Sequence, residues 1–223
     1  MWLILAFCSA ALLGFYDVCK KHALSGNAVL PVLFLNTAIC SLLFLPFIIL
    51  SSYTGLLDSS SFYVEPCGWE QHRYILLKAC IVLSSWIFGY FAMKHLPITI
   101  VGPINATRPV MVLVGALLVF GERLNVWQWA GVTLAIISFF LLKRSGKKEG
   151  VDFRHNKWIF SLILAAVLGA VSGLYDKYLM APPENGGIGL SRMVVQSWYN
   201  LYQLAMMGLT MLMIWWPTRK NST

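Results

Sequence analysis

An arginine keeps its proton in a protein, so an arginine inside an apolar run has to find something to bind. Arg108 stands in such a run, "TIVGPINATRPVMVLVGALLVFGERL", residues 99 to 124, eleven residues after Pro97 and fourteen before Glu122. As helix those separations are about 16.5 Å and about 21 Å, too long for the side chain to snorkel to either interface. A guanidinium at the centre of a spanning helix costs about 2.5–3.5 kcal/mol on insertion scales, and facing lipid returns nothing. Arg108 is therefore expected to face a polar cavity or a partner. Val101, Asn105, Arg108 and Val112 fall at i, i+4, i+7 and i+11, which puts Asn105 and Arg108 on one helix face. Pro103 and Pro109 each remove a backbone donor and crowd the turn before them, so freed carbonyls add to the same mid-depth region. The chemistry on offer is recognition of a carboxylate, phosphate or other acceptor-rich group. The competing use is a salt bridge that holds helices together.

Other polar residues inside apolar runs extend the candidate set. Trp86 and Tyr90, at i and i+4, either floor a cavity by stacking on a ligand or simply pack. Asn36, Tyr16 and Tyr175 join them as substrate-binding candidates. Asp17 is the candidate for proton coupling, although Lys20 and Lys21, at i+3 and i+4, can also satisfy it as a charge near a helix end. Asp176, with Lys177 beside it, has the same plain reading, and Lys78, five residues past Arg73, is read as snorkelling. Glu122 and Arg123 read as a charge pair closing a helix. The five cysteines are odd in number and form no CxxC pair, so they read as small buried apolar residues. HExxH, GxSxG and P-loop patterns are missing, and His22, His72, His95 and His155 lie in or beside loops. Neither an enzyme nor a cofactor is expected.

These residues need helices that cross a bilayer to position them. Of the 223 residues 58% are hydrophobic and 12% charged, with a mean hydropathy of +0.70, whereas a soluble domain carries about 25% charged residues. The expectation is an integral membrane protein, placed in the plasma (inner) membrane of a bacterium. The net charge of +8 does not point to nucleic acid, because the basic residues lie at the ends of apolar runs. Seven spans of about 20 residues can be read, near 2–22, 29–51, 73–93, 98–120, 125–143, 157–180 and 191–216. Eleven lysines and arginines fall after the odd-numbered spans and five on the other side, which puts the 143–157 connection in the cytoplasm and the N-terminus outside.

The spans also repeat. Gly14-Phe15-Tyr16-Asp17 in the first matches Gly173-Leu174-Tyr175-Asp176 in the sixth. Ala10-x-x-x-Gly14 there meets Gly169-x-x-x-Gly173, small residues four apart that let helices approach closely. One residue further in offset, Asn36 of the second span meets Gln196 of the seventh. A five-span unit places its copy upside down, the inverted-repeat plan of secondary transporters. The stretch 96–142, with prolines in span four, Gly121-Glu122 at its end, then Trp127-Gln128 and Gly131, resembles the EamA-like family of the drug/metabolite transporter superfamily. The resemblance implies ten spans in two inverted five-helix repeats and a cytoplasmic N-terminus, the reverse of the charge count. The expected fold is an all-α polytopic membrane helix bundle. Its parts are a first repeat at 1–143, a basic linker at 144–156, and the first two helices of the second repeat at 157–223. Spans eight to ten have no counterpart, so a truncated or fragmentary gene product, inactive alone, is expected. The expected function is secondary transport of a small organic solute, anionic or zwitterionic, by alternating access about a midplane site near Arg108. The alternative is a seven-span receptor or sensor. A retinal protein is excluded, since the last span holds no lysine.

Overall fold

In hydrocarbon each backbone N–H and C=O must be satisfied within its own segment, so the apolar runs close as helices. The computed structural model describes residues 2–121, 123–146 and 155–218. Seven long helices form an all-α bundle, with no strand among the described residues. They are α1 (Trp2–Leu24), α2 (Val29–Tyr53), α3 (Trp69–His95), a broken fourth made of α4 (Ile98–Ala106) and α5 (Arg108–Phe120), α6 (Val126–Gly146), α7 (Lys157–Met180) and α8 (Arg192–Thr210). A π-helical turn, Met211–Trp215, and a last short turn, Trp216–Thr218, continue α8. Four spans are long and apolar enough to cross a membrane by length and composition: Val29–Tyr53, Trp69–His95, Ile98–Phe120 and Lys157–Met180. The protein is integral to a membrane, and the large apolar side chains left on its outside, such as Phe7, Leu12 and Phe15 of α1, meet lipid. Most of the 143–157 connection and Glu122 lie outside the described residues.

The fourth span breaks one residue before Arg108. Pro109 has no N–H for the carbonyl of Asn105, and Pro103 has none for that of Thr99. The chain tightens instead, with the Thr107 N–H (3.2 Å) and the Thr107 hydroxyl (2.7 Å) both donating to Ile104 O. At its far end Gly121, at φ 65°, takes the left-handed conformation that stops α5. Helix α3 begins four residues earlier than expected, at Trp69, because the Gln71 side chain accepts from the Gly68 N–H at 2.8 Å and Glu70 favours the first turn.

The core is the face of α7 that carries small residues. Helix α3 packs most extensively against α7, and α8 against α2. Ser85 donates to Ala165 O at 2.7 Å across the first of these interfaces, and Ser41 donates to Asn200 O at 2.7 Å across the second. Helix α5 lies along the same face of α7. A Cβ added at Gly169 would sit 3.2 Å from the Arg108 guanidinium, and one at Gly173 would sit 3.0 Å from Val112 Cγ2. The expected close approach at Gly169-x-x-x-Gly173 is thus present, with α5 as the partner. On α1, by contrast, nothing lies within 4 Å of a Cβ at Gly14.

Two expectations are corrected. Lys78 does not snorkel: it is 5% exposed, pairs with Asp176 of α7, and lies 4.6 Å from the Tyr199 ring centroid. The reason is that Lys78 faces α7 rather than an interface, so a carboxylate is nearer than water. Asp176, itself half-buried, accordingly serves as the partner of buried Lys78 rather than as a helix-end charge. The cysteines are not core residues either. Cys8, Cys19 and Cys80 are exposed, and Cys40 and Cys67 are half-buried, because a thiol on a membrane helix need not leave lipid to escape water.

The matched glycines yield a paired test. Gly173→Ile should push α5 off α7 and destabilise the bundle by about 1–3 kcal/mol, whereas Gly14→Ile should leave it unchanged. Thermal unfolding of both variants in detergent measures this, and equal melting temperatures would contradict the packing.

Candidate functional site

Helix directions decide which polar residues meet. Tyr16, in the C-terminal half of α1, bonds hydroxyl to hydroxyl with Tyr90, near the C-terminal end of α3, at 3.0 Å. Lys21 donates to Met93 O (2.6 Å) and Leu96 O (2.8 Å), capping that same end of α3. Tyr175, in the matching position of α7, donates instead to Tyr74 O at the start of α3. The two Gly-x-Tyr-Asp segments therefore contact opposite ends of α3, on helices that run in opposite directions.

Between α1, α2 and α3, at the end of the bundle where α1 turns into α2, lies a cavity of about 860 Å³. Tyr16, Asn36 and Tyr90 line it, as do Lys20, Lys94 and Trp215, while Pro31, Val32, Leu35 and Ile39 form an apolar wall. Lys20 is held on several sides. Its ammonium is 2.7 Å from Asp17 Oδ1, 4.5 Å from the Tyr16 ring centroid and 5.3 Å from that of Tyr90. Lys94 donates to Asn27 O at the mouth, at 2.9 Å. Behind this group, at mid-depth, Arg108 lies against α7 within electrostatic reach of Asp17 and Lys20.

Buried polar atoms without a partner mark where a ligand would satisfy the protein. Asn36 Nδ2 and Trp215 Nε1, both on cavity residues, are such atoms, as are Arg108 Nε and Asn105 Oδ1. Three of these four are donors. Among the described residues the ion pairs are Asp17–Lys20 and Lys78–Asp176, so Arg108 does not form the interhelical salt bridge that was its alternative use.

The sequence candidates thus divide. Tyr16, Asn36 and Tyr90 share the cavity, with Asp17 beside it through Lys20. Arg108 and Asn105 stand at the break between α4 and α5. Trp86 packs against both buried clusters of the bundle, and Tyr175 sits beside Tyr178 at the opposite end. Lys20, expected only as a partner of Asp17, also lines the cavity, with Lys94 and Trp215, which were not among the expected site residues. Lys20 stands one helical turn from Tyr16, a spacing that could have flagged it. Trp215 depends on the π turn, which adds about 100° of rotation to the register and has no signal in the sequence.

Comparison with known proteins identifies the family. The profile of the EamA-like transporter family matches residues 1–144. The chain belongs to the EamA-like transporter family. Its members are membrane solute transporters rather than enzymes. Over 84 residues this EamA-like chain is 23% identical to the "UDP-galactose transporter homolog 1" of the yeast Kluyveromyces lactis, a match covering 36% of the chain and 25% of that protein. The aligned part is thus about a quarter of the curated relative's length. No solved structure matches the chain.

Thiol chemistry tests whether the cavity holds water. Cys19 lines it, Cys8 lies on the outer face of α1, and burial together with Glu65 pushes the Cys67 thiol up, slowing its reaction. With the other cysteines replaced, a water-soluble maleimide should label Cys19 about tenfold faster than Cys8, because the attacking thiolate needs a wet site. Equal rates would mean a closed or lipid-filled crevice.

Proposed function

We propose that this chain forms the solute-binding part of a secondary transporter that moves a small, acceptor-rich anionic or zwitterionic solute by alternating access. The observation that carries this reading is the set of buried donors without partners, Asn36 Nδ2, Trp215 Nε1 and Arg108 Nε, around and behind a cavity that also presents Lys20. Buried donors without partners favour a ligand rich in acceptors, and a guanidinium favours planar carboxylate or phosphate groups. Tyr16, Tyr90 and Trp215 supply ring faces for an aromatic or sugar portion.

The family match favours this reading over a seven-span receptor. The relative is named as a UDP-galactose transporter homolog, and a nucleotide-linked sugar, with its pyrophosphate and hydroxyls, suits the donor set and the 860 Å³ cavity. That relative is a yeast protein, which lends no support to a bacterial plasma membrane.

The mechanism rests on an inverted repeat in which α1 and α2 correspond to α7 and α8. Opposite helix directions and the matched Tyr16-Asp17 and Tyr175-Asp176 pairs support it. The cavity is open toward the α1–α2 turn, while the Lys78–Asp176 pair beneath Tyr199 ties α3 to α7 in the other half of the bundle. Alternating access then exchanges these conditions, loosening the second region as Lys20 and Lys94 close over the solute.

Binding and uptake of labelled UDP-galactose by the chain in lipid vesicles, with galactose as the comparison, test the reading. Arg108→Gln should weaken binding about 10- to 100-fold, as loss of a charged hydrogen bond worth about 1.5–3 kcal/mol requires, and Arg108→Lys should recover part of it. Unchanged binding in a normally folded Arg108→Gln protein would remove Arg108 from the site.

A further inference from the structure

Lys20 occupies an unusual place among the charges of the bundle. Its side chain is 13% exposed, it lines the cavity, and its ammonium is held by Asp17 at 2.7 Å. Among the described residues Asp17 has Lys20 as its one hydrogen-bonded partner. The groups facing this pair come from several helices. They are Tyr16 on α1, Tyr90 on α3, Arg108 on α5, and, facing both tyrosines, Cys40 on α2. Lys21 is occupied by the carbonyls that end α3. The Tyr16 and Tyr90 hydroxyls are bonded to each other. Of the cations nearby, only Lys20 therefore stands both in the cavity and on the carboxylate.

We propose that Lys20 is shared between Asp17 and the solute, so that an anion entering the cavity draws Lys20 away, Asp17 takes up a proton from the water at the open mouth, and anion and proton are carried together. This rests on the reading of the cavity as the solute site. A lysine on a flexible four-carbon stem can exchange partners without moving the helix. A carboxylate left in a low-dielectric site without its cation is strongly disfavoured, and protonation relieves it. With a pyrophosphate bound, its two negative charges face Lys20 and Arg108, and a protonated Asp17 adds none.

The sign follows by linkage. If the anion promotes protonation of Asp17, acid promotes binding of the anion by the same factor. Titration calorimetry of UDP-galactose against the full chain in detergent, in two buffers of different ionisation enthalpy, counts the protons taken up. Wild type should take up about one proton per solute bound at pH 7–8, and its affinity should rise as pH falls, the reciprocity that linkage requires. Asp17→Asn should bind about tenfold more tightly at pH 8, with no proton uptake and little pH dependence, because Lys20 is already free. Lys20→Gln should weaken binding about 10- to 100-fold, and Lys20→Arg should keep both binding and proton uptake. Binding that needs Lys20 but brings no proton overturns the coupling and leaves the cavity reading standing. Proton uptake that persists in Asp17→Asn overturns the assignment to Asp17. Failure of the wild type to bind, or full affinity in Lys20→Gln, overturns the cavity reading and this proposal with it.

Discussion

Close approach of helices to the small-residue face of α7 sets the positions of the charges in this bundle. Water cannot satisfy a polar group in hydrocarbon, and lipid offers no hydrophobic drive to bring helices together, so contact distance decides what is stable. Gly169 leaves room for the Arg108 guanidinium and Gly173 for Val112. Ala165 lets α3 come near enough for the Ser85 hydroxyl to reach a backbone carbonyl. Larger residues at these places would hold α5 and α3 away, and Arg108 and Lys78 would each face lipid instead of protein. The α7 face is thus both the packing centre and the reason that two cations are tolerated at depth.

Those cations are treated differently, and the difference separates structure from function. Lys78 is fully engaged by Asp176 and the Tyr199 ring. A pair of that kind costs desolvation on both sides but leaves nothing wanting, so it holds α3 on α7. Arg108 has no ion partner among the described residues, and its Nε is buried without an acceptor. Asn36 Nδ2 and Trp215 Nε1 at the cavity are in the same state, and so are Ser197 Oγ and both polar side-chain atoms of Gln203 within α8. A transporter benefits from incomplete satisfaction of this sort, because a site already satisfied by its own side chains would have little to gain from a solute.

Much of this plan was legible in the chain. Seven helices emerge within a few residues of the hydropathy limits, four of them long and apolar enough to cross a membrane, since a bilayer accepts little except a helix of matching length. The break before Arg108 was legible from Pro103 and Pro109, whose missing N–H groups are covalent facts. Which way a polar side chain faces was less so. Lys78 seemed close enough to an interface to reach water, yet it turns inward because Asp176 lies across the α3–α7 contact. Lys20 was legible as a partner for Asp17, but its place at the cavity wall was not. Trp86 and Tyr90 share a helix face at i and i+4, but the cavity reaches α3 at Tyr90 and Lys94, while Trp86 is drawn into the packing of both clusters.

From its sequence alone, then, this protein was bound to be an all-α membrane bundle with a permanent charge at mid-depth, because hydropathy, span length and proline chemistry are local properties of the chain. Tertiary structure decided which charges are paired and which are left wanting. That choice depends on contacts between helices far apart in sequence, such as α3 with α7 and α1 with α3, and on a π turn that rotates Trp215 into the cavity. Neither leaves a local mark, because partner distance, not residue type, determines whether a buried donor finds its acceptor.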